Sequence, residues 1–255
     1  LETRNFQQNR RVIVKKVRAA AKSKPRHGMS GLVKAIFART RTPAFERYLR
    51  DLLVKICEVN TTPTSDVGVM RAAEDDCFQI LERELAGLGF AGARTERRVV
   101  NPAIKDHPHY SLLHFTKTTQ RPDGLSPEET YAGRSNLLYI VPGATATGDG
   151  QSVAVNAHVD VVAPYFPPRV KKNVVYGRGA CDDKGPLVSI VAALKVLSDV
   201  MPQAGLRWNK NVVAMFVIEE ETGGNGSLSL AIDRDLKKLY DSVMVFECTG
   251  LKIYP

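Results

Sequence analysis

Apolar positions repeat every three or four residues in two stretches in the first half of the chain, which is the spacing of one helix face. The first stretch covers residues 42–60, and the second runs from Arg71 to Leu88. Each is followed by a residue that breaks helices, Pro63 after the first and Gly89 after the second. The pattern predicts two amphipathic helices that serve as scaffold.

Short apolar runs without helical spacing follow, and they alternate with further helical segments. The continuous apolar composition of Asn211–Ile218 is typical of a strand that is covered on both faces of its sheet. Helices are predicted over Leu187–Val200 and Ser227–Tyr240. This alternation is the layout of an open α/β sheet. The predicted strands are Arg94–Val100, Ser135–Val141, Ser152–Asn156, Asn211–Ile218 and Ser242–Phe246, with the last one also expected to be buried.

Charge is distributed unevenly along the 255 residues. Residues 1–45 hold 12 of the 36 Lys and Arg residues but only one of the 27 Asp and Glu residues, so the rest of the chain is nearly neutral. We therefore predict a basic N-terminal extension over residues 1–42 and one large domain over residues 43–255. A solvated extension is the commonest meaning of such a run. A nucleic-acid arm, an anionic-membrane contact or a transit-like segment are the alternatives.

The four cysteines show no CxxC pairing, which favours a reducing compartment. No apolar run approaches the length of a membrane span, so we expect no transmembrane segment. We expect a cytoplasmic protein, with organellar targeting by the basic N-terminus left open. Cys181 and Cys248 are expected to be small buried residues.

Imidazole and carboxylate side chains follow several of the apolar segments. Side chains at the carboxyl ends of strands meet at one edge of an open α/β sheet, where several carboxylates would repel one another unless a cation lay among them. Nitrogen and oxygen donors of this kind bind zinc. The pattern therefore predicts a hydrolytic zinc site. Its candidates are His158, Asp160, Asp182, Asp183, Glu219–Glu221 and Glu247.

Three more histidines, His107, His109 and His114, lie between the predicted strands. The HPH triplet would place two imidazoles on one side of an extended chain, so a metal cluster is one alternative. No carboxylate or cysteine follows at a familiar spacing, and Pro108 favours a loop or an edge. We expect histidines at the surface or satisfied in the core.

The segments HVDVV, YGRGACDDKG, EEETGG and FECTG occur in this order at spacings that resemble the di-zinc metallopeptidase family of aminoacylase, carboxypeptidase G, acetylornithine deacetylase and succinyl-diaminopimelate desuccinylase. The resemblance covers about residues 45–255, and GRGACDDKG with an upstream HxD is its most specific part. It implies the N-terminal part of a zinc-hydrolase catalytic domain. The implied fold is a three-layer α/β/α, zinc-exopeptidase-like domain with a mixed, mainly parallel sheet, and its lid and dimerisation domain is absent from this chain.

The resemblance also implies a first metal site. His158 matches a ligand of one zinc, and Asp160 matches the carboxylate that orients this imidazole. Asp182 matches the aspartate that bridges both metals, and the peptide bond after it is cis in relatives. Glu247 matches the remaining carboxylate ligand of the first zinc.

The implied second site and the general base come from EEETGG. Glu220 matches the general base, Glu221 matches a ligand of the second zinc, and Glu219 is then a bystander. Relatives supply one more histidine ligand after the inserted lid domain. No histidine follows His158 in this sequence, so we expect that ligand beyond Pro255.

We therefore predict a zinc-dependent hydrolase that cleaves an amide or peptide bond, of the carboxypeptidase, deacylase or dipeptidase type, through a metal-bridged hydroxide with a glutamate general base. The complete protein is expected to hold two Zn²⁺, for which Co²⁺ or Mn²⁺ substitutes. A small peptide or N-acyl amino acid is the expected substrate, a homodimer is expected through a domain outside this chain, and nucleic acid is not expected as a partner. The alternative is a catalytically silent binding or scaffolding protein on the same fold, whose basic arm contacts nucleic acid or anionic membrane.

Overall fold

The computed structural model describes residues 27–145 and 151–248, and the predicted basic extension before residue 27 lies outside this part, as do Thr249 and Gly250 of the FECTG segment. The α-helices are α1 His27–Thr40, α2 Pro43–Cys57, α3 Val67–Ala86, α4 Pro127–Tyr131, α5 Lys184–Gln203 and α6 Asn225–Ile232. Short 3-10 helices span Pro102–Asp106, His114–Thr116 and Leu236–Lys238. The strands are β1 Arg94–Val99, β2 Ser135–Val141, β3 Val153–His158, β4 Arg169–Lys171, β5 Val174–Tyr176, β6 Val212–Val217 and β7 Ser242–Val245.

Five strands form one mixed sheet in the order β1-β2-β6-β3-β7, while β4 and β5 form a separate antiparallel pair. The β1–β2 and β2–β6 pairs are antiparallel, and the β6–β3 and β3–β7 pairs are parallel. The predicted α/β class with a mixed sheet is therefore confirmed. Because β3, β6 and β7 run in the same direction, their carboxyl ends meet at one edge of the sheet, and this edge carries the candidate site.

Local capping explains where the helices before the sheet begin. The Thr42 side chain accepts a hydrogen bond from Phe45 N at the start of α2, and Pro43 takes the first helical position. The Asp66 side chain accepts from the backbone N–H groups at the start of α3. This cap starts α3 before Arg71, so the predicted start was four residues too late.

The core lies on both faces of the sheet, which makes the domain three-layered. Strand β6 is buried at every residue. On one face, side chains of α2, α3 and α5, such as Ile56, Phe78 and Leu187, form one cluster with Phe216 of β6. On the other face, Leu230 of α6 and Leu236 pack over a smaller cluster that contains Met215. The strand composition requires this double cover, because a run of apolar residues leaves neither face for water.

Helix α1, which belongs to the end of the basic stretch, packs on the domain. Its partly buried Leu32 and Ile36 contact a cluster with Phe45 of α2 and Val200 of α5. An ion pair joins Arg39 to Asp199 of α5, with Nε and Oδ2 3.1 Å apart. The last part of the basic stretch is therefore held against the body of the protein.

The segment predicted as one helix over Ser227–Tyr240 is broken in the structure, so this prediction was wrong in its extent. Helix α6 ends at Ile232, and the Asp233 side chain accepts hydrogen bonds from the backbone N–H groups of Asp235 and Leu236. An aspartate that binds the backbone two and three residues ahead favours a turn over a continued helix.

Strand β7 also differs from its prediction as a buried strand. It pairs with β3 on one side and forms an edge of the described sheet, and all four of its residues are exposed. Its apolar side chains, Val243, Met244 and Val245, are 49%, 52% and 63% exposed. An apolar run indicates a strand, but it does not distinguish a central strand from an edge strand.

Helix α5 is the one helix of the described residues that is long and apolar enough to cross a membrane by length and composition, so the expectation of no such run was too strict. Half of its apolar window is buried inside the fold. Its buried residues, such as Leu187 and Val191, belong to the main core cluster, which explains its composition without a membrane.

We expect Phe78→Ala to lower the free energy of unfolding by about 3–5 kcal/mol, because Phe78 is 1% exposed and its loss leaves a cavity under the sheet. Chemical denaturation measures the change. Val69→Ala on the same helix is the control, since Val69 is 58% exposed. Equal losses in the two variants would contradict this packing.

Candidate metal centre

The candidate site is built around His158, the last residue of β3, whose side chain is 1% exposed. Its Nε2 atom lies 3.2 Å from Asp182 Oδ1, 3.4 Å from Glu247 Oε1 and 3.7 Å from Glu220 Oε2. The donor atoms of His158, Asp182 and Glu247 all lie within 4.8 Å of one another. The structure thus brings together three of the predicted ligands and the predicted base.

A tight turn before α5 supplies Asp182. The peptide bond between Asp182 and Asp183 is cis, as the resemblance implies. The buried Asp183 carboxylate accepts a hydrogen bond from His158 N at 2.9 Å. Lys184 is also buried, and its Nζ donates to Val59 O at 2.7 Å and to Ile56 O at 3.2 Å. These contacts hold the turn against the end of β3 and the end of α2.

Asp160 connects the segment after β3 to the segment after β6. Its carboxylate oxygens accept hydrogen bonds from Glu220 N at 3.1 Å and from Glu221 N at 3.0 Å. Its carbonyl oxygen lies 3.0 Å from His158 Nδ1, and its Oδ1 lies 3.4 Å from the same atom. In the neutral tautomer whose Nδ1–H donates to Asp160, the His158 Nε2 atom would offer its lone pair to a metal ion held among the carboxylates.

The Nε2 atom of His158 has no hydrogen-bond partner among the described residues, although it is buried. Buried polar atoms in folded proteins nearly always have a partner. One nitrogen and several carboxylate oxygens that converge from separate strand ends are a donor set that zinc accepts. The residues present therefore fit a divalent cation at this position.

The negative charges around His158 also favour a bound cation. Burial is the largest influence on the His158 pKa and would lower it, but the hydrogen bond to Asp160 and the charges of Asp160, Asp183 and Glu220 raise the pKa to about 10. Burial first, and then neighbouring carboxylates, raise the pKa of Glu220, and burial raises that of Asp183 to about 8. The site holds more negative charge than it can keep in proximity without a cation.

Glu221 and Glu219 are placed differently from the other candidates. The Glu221 side chain is not among the three donors that meet, although the pKa of Glu221 is raised, by burial first and then by the charge of Asp182. Glu219 has a left-handed φ of 61° and a buried side chain that accepts a hydrogen bond from Tyr131 Oη at 2.8 Å. It also pairs with Arg134 and is not among the three donors that meet, so its expected place outside the metal ligands stays a prediction.

The three histidines between the strands take no part in this centre. His107 and His109 lie side by side, with ring centroids 5.4 Å apart. Within the part of the chain that the structure describes, neither they nor His114 belong to a group that could hold a metal ion.

Cys181 and Cys248 are exposed, so the expectation that they are buried was wrong. Each lies next to a residue of the site in sequence, Cys181 before Asp182 and Cys248 after Glu247. Sequence reasoning missed the exposure because it treated small apolar residues near a site as core.

Sequence reasoning also missed a buried group of charged and polar residues beneath the site. Arg134 is buried between Glu74 and Glu219 and forms an ion pair with each of them. A signal for Glu74 existed, because it lies one helical turn before Phe78 on the apolar face of α3. Arg134 carried no such signal.

Fold and site together define an α/β domain with a candidate metal centre at the carboxyl edge of its sheet. Residues 154–253 match the model described as Peptidase family M20/M25/M40. This match confirms, over these residues, the resemblance carried by the motifs.

Curated relatives match a similar share of this chain. The chain is 39% identical over 107 residues to a [LysW]-lysine/[LysW]-ornithine hydrolase of Saccharolobus islandicus, covering 41% of this chain and 31% of the relative. It is 30% identical over 107 residues to a putative [LysW]-lysine/[LysW]-ornithine hydrolase of Pyrococcus horikoshii, covering 42% of this chain and 28% of the relative. The chain thus spans about a third of the length of these relatives.

Two solved dipeptidases share the fold. Human carnosine dipeptidase 1 superposes with a TM-score of 0.58 at 15% identity, and the di-peptidase Dug1p of Saccharomyces cerevisiae with a TM-score of 0.54 at 19% identity. In both cases the match covers 83% of this chain and 40% of the other chain.

We expect Asp160→Asn to weaken zinc binding by about 10- to 100-fold, because the amide cannot accept both backbone N–H groups and loses the charge beside His158. Calorimetric titration of the metal-free protein with Zn²⁺ measures this. Asp199→Asn, which makes the same chemical change at the surface pair with Arg39, is the control. Wild-type affinity in Asp160→Asn would contradict the assigned role of Asp160.

Proposed function

We propose that the complete protein is a zinc-dependent hydrolase that cleaves an amide or peptide bond. The observation that carries this proposal is the buried His158 Nε2 atom, which has no partner among the described residues and faces the carboxylates of Asp182, Glu220 and Glu247. A nitrogen donor surrounded by carboxylates fits a hydrolytic metal centre better than a solvated polar edge, because burial and repulsion both disfavour the metal-free arrangement.

In this proposal His158, Asp182 and Glu247 would hold the first Zn²⁺. Asp182 and Glu221 would contribute to the second. Bound zinc supplies Lewis acidity toward the carbonyl group and makes water a stronger acid. Co²⁺ or Mn²⁺ would substitute, since the donors are nitrogen and oxygen atoms. Asp160 supports the first metal through the Nδ1 side of His158.

Glu220 acts as the general base. Its carboxylate is 48% exposed and reaches to within 3.7 Å of His158 Nε2, while its backbone is held by Asp160. Burial and the charges of Asp160, Glu247 and Asp182 raise the pKa of Glu220, with His158 acting against them, which makes the carboxylate more basic. It would accept a proton from the attacking water and donate it to the amine that leaves.

The substrate is proposed to be a small peptide or an N-acyl amino acid. The curated relatives are named for hydrolysis of [LysW]-lysine and [LysW]-ornithine, and the two structural relatives are dipeptidases. Amide cleavage is what these names share, and it supports the reaction class. A homodimer, a cytoplasmic location and a second metal completed by a histidine from elsewhere in the full protein stay predictions.

We expect Glu220→Gln to lower kcat by about 10²–10⁴-fold, while zinc content stays at the wild-type level, because the amide cannot take a proton but the metal donors are intact. Turnover of a panel of dipeptides and N-acyl amino acids, with metal analysis of the same samples, measures both quantities.

Glu128→Gln is the matched control, since Glu128 lies at the surface and pairs with Lys105. A wild-type protein that binds zinc and turns over no substrate in the panel would favour the silent binding protein. Full activity in Glu220→Gln would remove Glu220 from its assigned role.

A further inference from the structure

Beneath the candidate centre lies a group of buried charges that metal binding does not use. The Arg134 side chain is fully buried, and its guanidinium binds both oxygens of Glu74, with Nε–Oε2 at 3.0 Å and Nη2–Oε1 at 2.6 Å. Its remaining nitrogen, Nη1, pairs with Glu219 Oε1. The second oxygen of Glu219 accepts from Tyr131 Oη at 2.8 Å.

Glu219 begins the turn that carries the proposed base. Its φ of 61° turns the chain away from β6, and its carbonyl accepts a hydrogen bond from Gly224 N at 2.7 Å. The carbonyl of Glu220 accepts from Gly223 N at 2.9 Å. These two backbone hydrogen bonds shape the turn over residues 219–224. The Glu219 side chain, bound by Tyr131 and Arg134, fixes the start of this turn.

The turn is therefore held from two sides. Asp160 binds the N–H groups of Glu220 and Glu221 from the side of β3. Arg134 and Tyr131 bind the side chain of Glu219 from inside the domain. No carboxylate of this buried group is among the donors that surround His158 Nε2 in the described residues.

We propose that Arg134 is a positioning residue: by binding Glu219, it fixes the turn so that the Glu220 carboxylate faces the metal centre. The effect on catalysis rests on the proposed function, whereas the effect on the turn does not. A buried ion group of two carboxylates and one guanidinium adds little stability compared with apolar side chains of similar volume. Its directional hydrogen bonds supply what apolar side chains cannot, a defined position for Glu219.

Stability and positioning can be separated by replacing the whole charged group. Arg134→Met alone leaves two buried carboxylates without a compensating cation, and this variant is expected to unfold easily. The triple variant Glu74→Met, Arg134→Met and Glu219→Met removes all three charges at similar volume. We expect it to fold with wild-type stability, because no buried charge is left unpaired.

The test measures two properties of the full protein in this triple variant, once denaturant unfolding has shown that it is as stable as wild type. Hydrogen exchange of the Glu220 and Glu221 amides is expected to be at least about tenfold faster, because the turn has lost its inner anchor. With zinc loaded and a substrate that wild type turns over, kcat is expected to fall by about 10²-fold, with KM within about twofold of wild type.

Arg97→Met is the matched control. Arg97 forms a similar two-bond pair with Glu82 of α3, at 2.6 and 2.9 Å, away from the site. Its amide exchange at residues 220–221 and its kcat are expected to match wild type.

Wild-type exchange at residues 220–221 in the stable triple variant would overturn the proposal, whatever the activity. Wild-type kcat in that variant would overturn it as well, because the buried charges would then be structural only. Absence of hydrolysis by wild type would count against the proposed function alone, since hydrogen exchange still decides the role of Arg134. If the triple variant does not fold, Glu219→Gln replaces it, and the same two readouts decide.

Discussion

Electrostatic repulsion at one edge of the sheet is the constraint on which this structure depends. The parallel strands β3, β6 and β7 end side by side, and each end or the turn beside it delivers acidic side chains to the same place. Among the described residues of this group, His158 alone adds a donor that is not a carboxylate. Such an arrangement of carboxylates is stable near neutral pH when a cation compensates their negative charge.

The scaffold around this edge is built to hold the acidic side chains in place without neutralising them. Asp160 uses its carboxylate to bind backbone N–H groups of the neighbouring segment, and Lys184 uses its ammonium to bind carbonyls at the end of α2. The described contacts of the Lys184 ammonium include no ion pair with Asp182, Glu220 or Glu247. This cation is occupied elsewhere, so the carboxylates remain available to a metal or a proton.

Much of this arrangement could be predicted from the sequence, because strand ends and acidic motifs are local features. The meeting of His158 and Glu247 follows from the parallel strands β3 and β7, whose carboxyl ends share an edge, and the turn before α5 adds Asp182. The family resemblance supplied the separate role of Glu220, which no spacing rule distinguishes from Glu219. The α/β class followed from the alternation of apolar strands and helices.

What could not be predicted depends on contacts between distant segments. The burial of Arg134 could not be predicted from the sequence, since an isolated arginine before a strand is ordinarily exposed. The edge position of β7 and the exposure of Cys248 depend on which segments pack beside them. The apolar composition of a segment does not reveal its neighbours in the fold. The division of Glu219–Glu221 into one inward and two outward side chains depends on a left-handed turn at Glu219.

Anomalous X-ray diffraction at the zinc edge, from crystals of the full protein purified with zinc, tests the central claim most directly. The account predicts an anomalous peak about 2.0–2.1 Å from His158 Nε2, with Asp182 and Glu247 oxygens in the same coordination shell. A fully zinc-loaded crystal with its peak elsewhere, for example between His107 and His109, would contradict it.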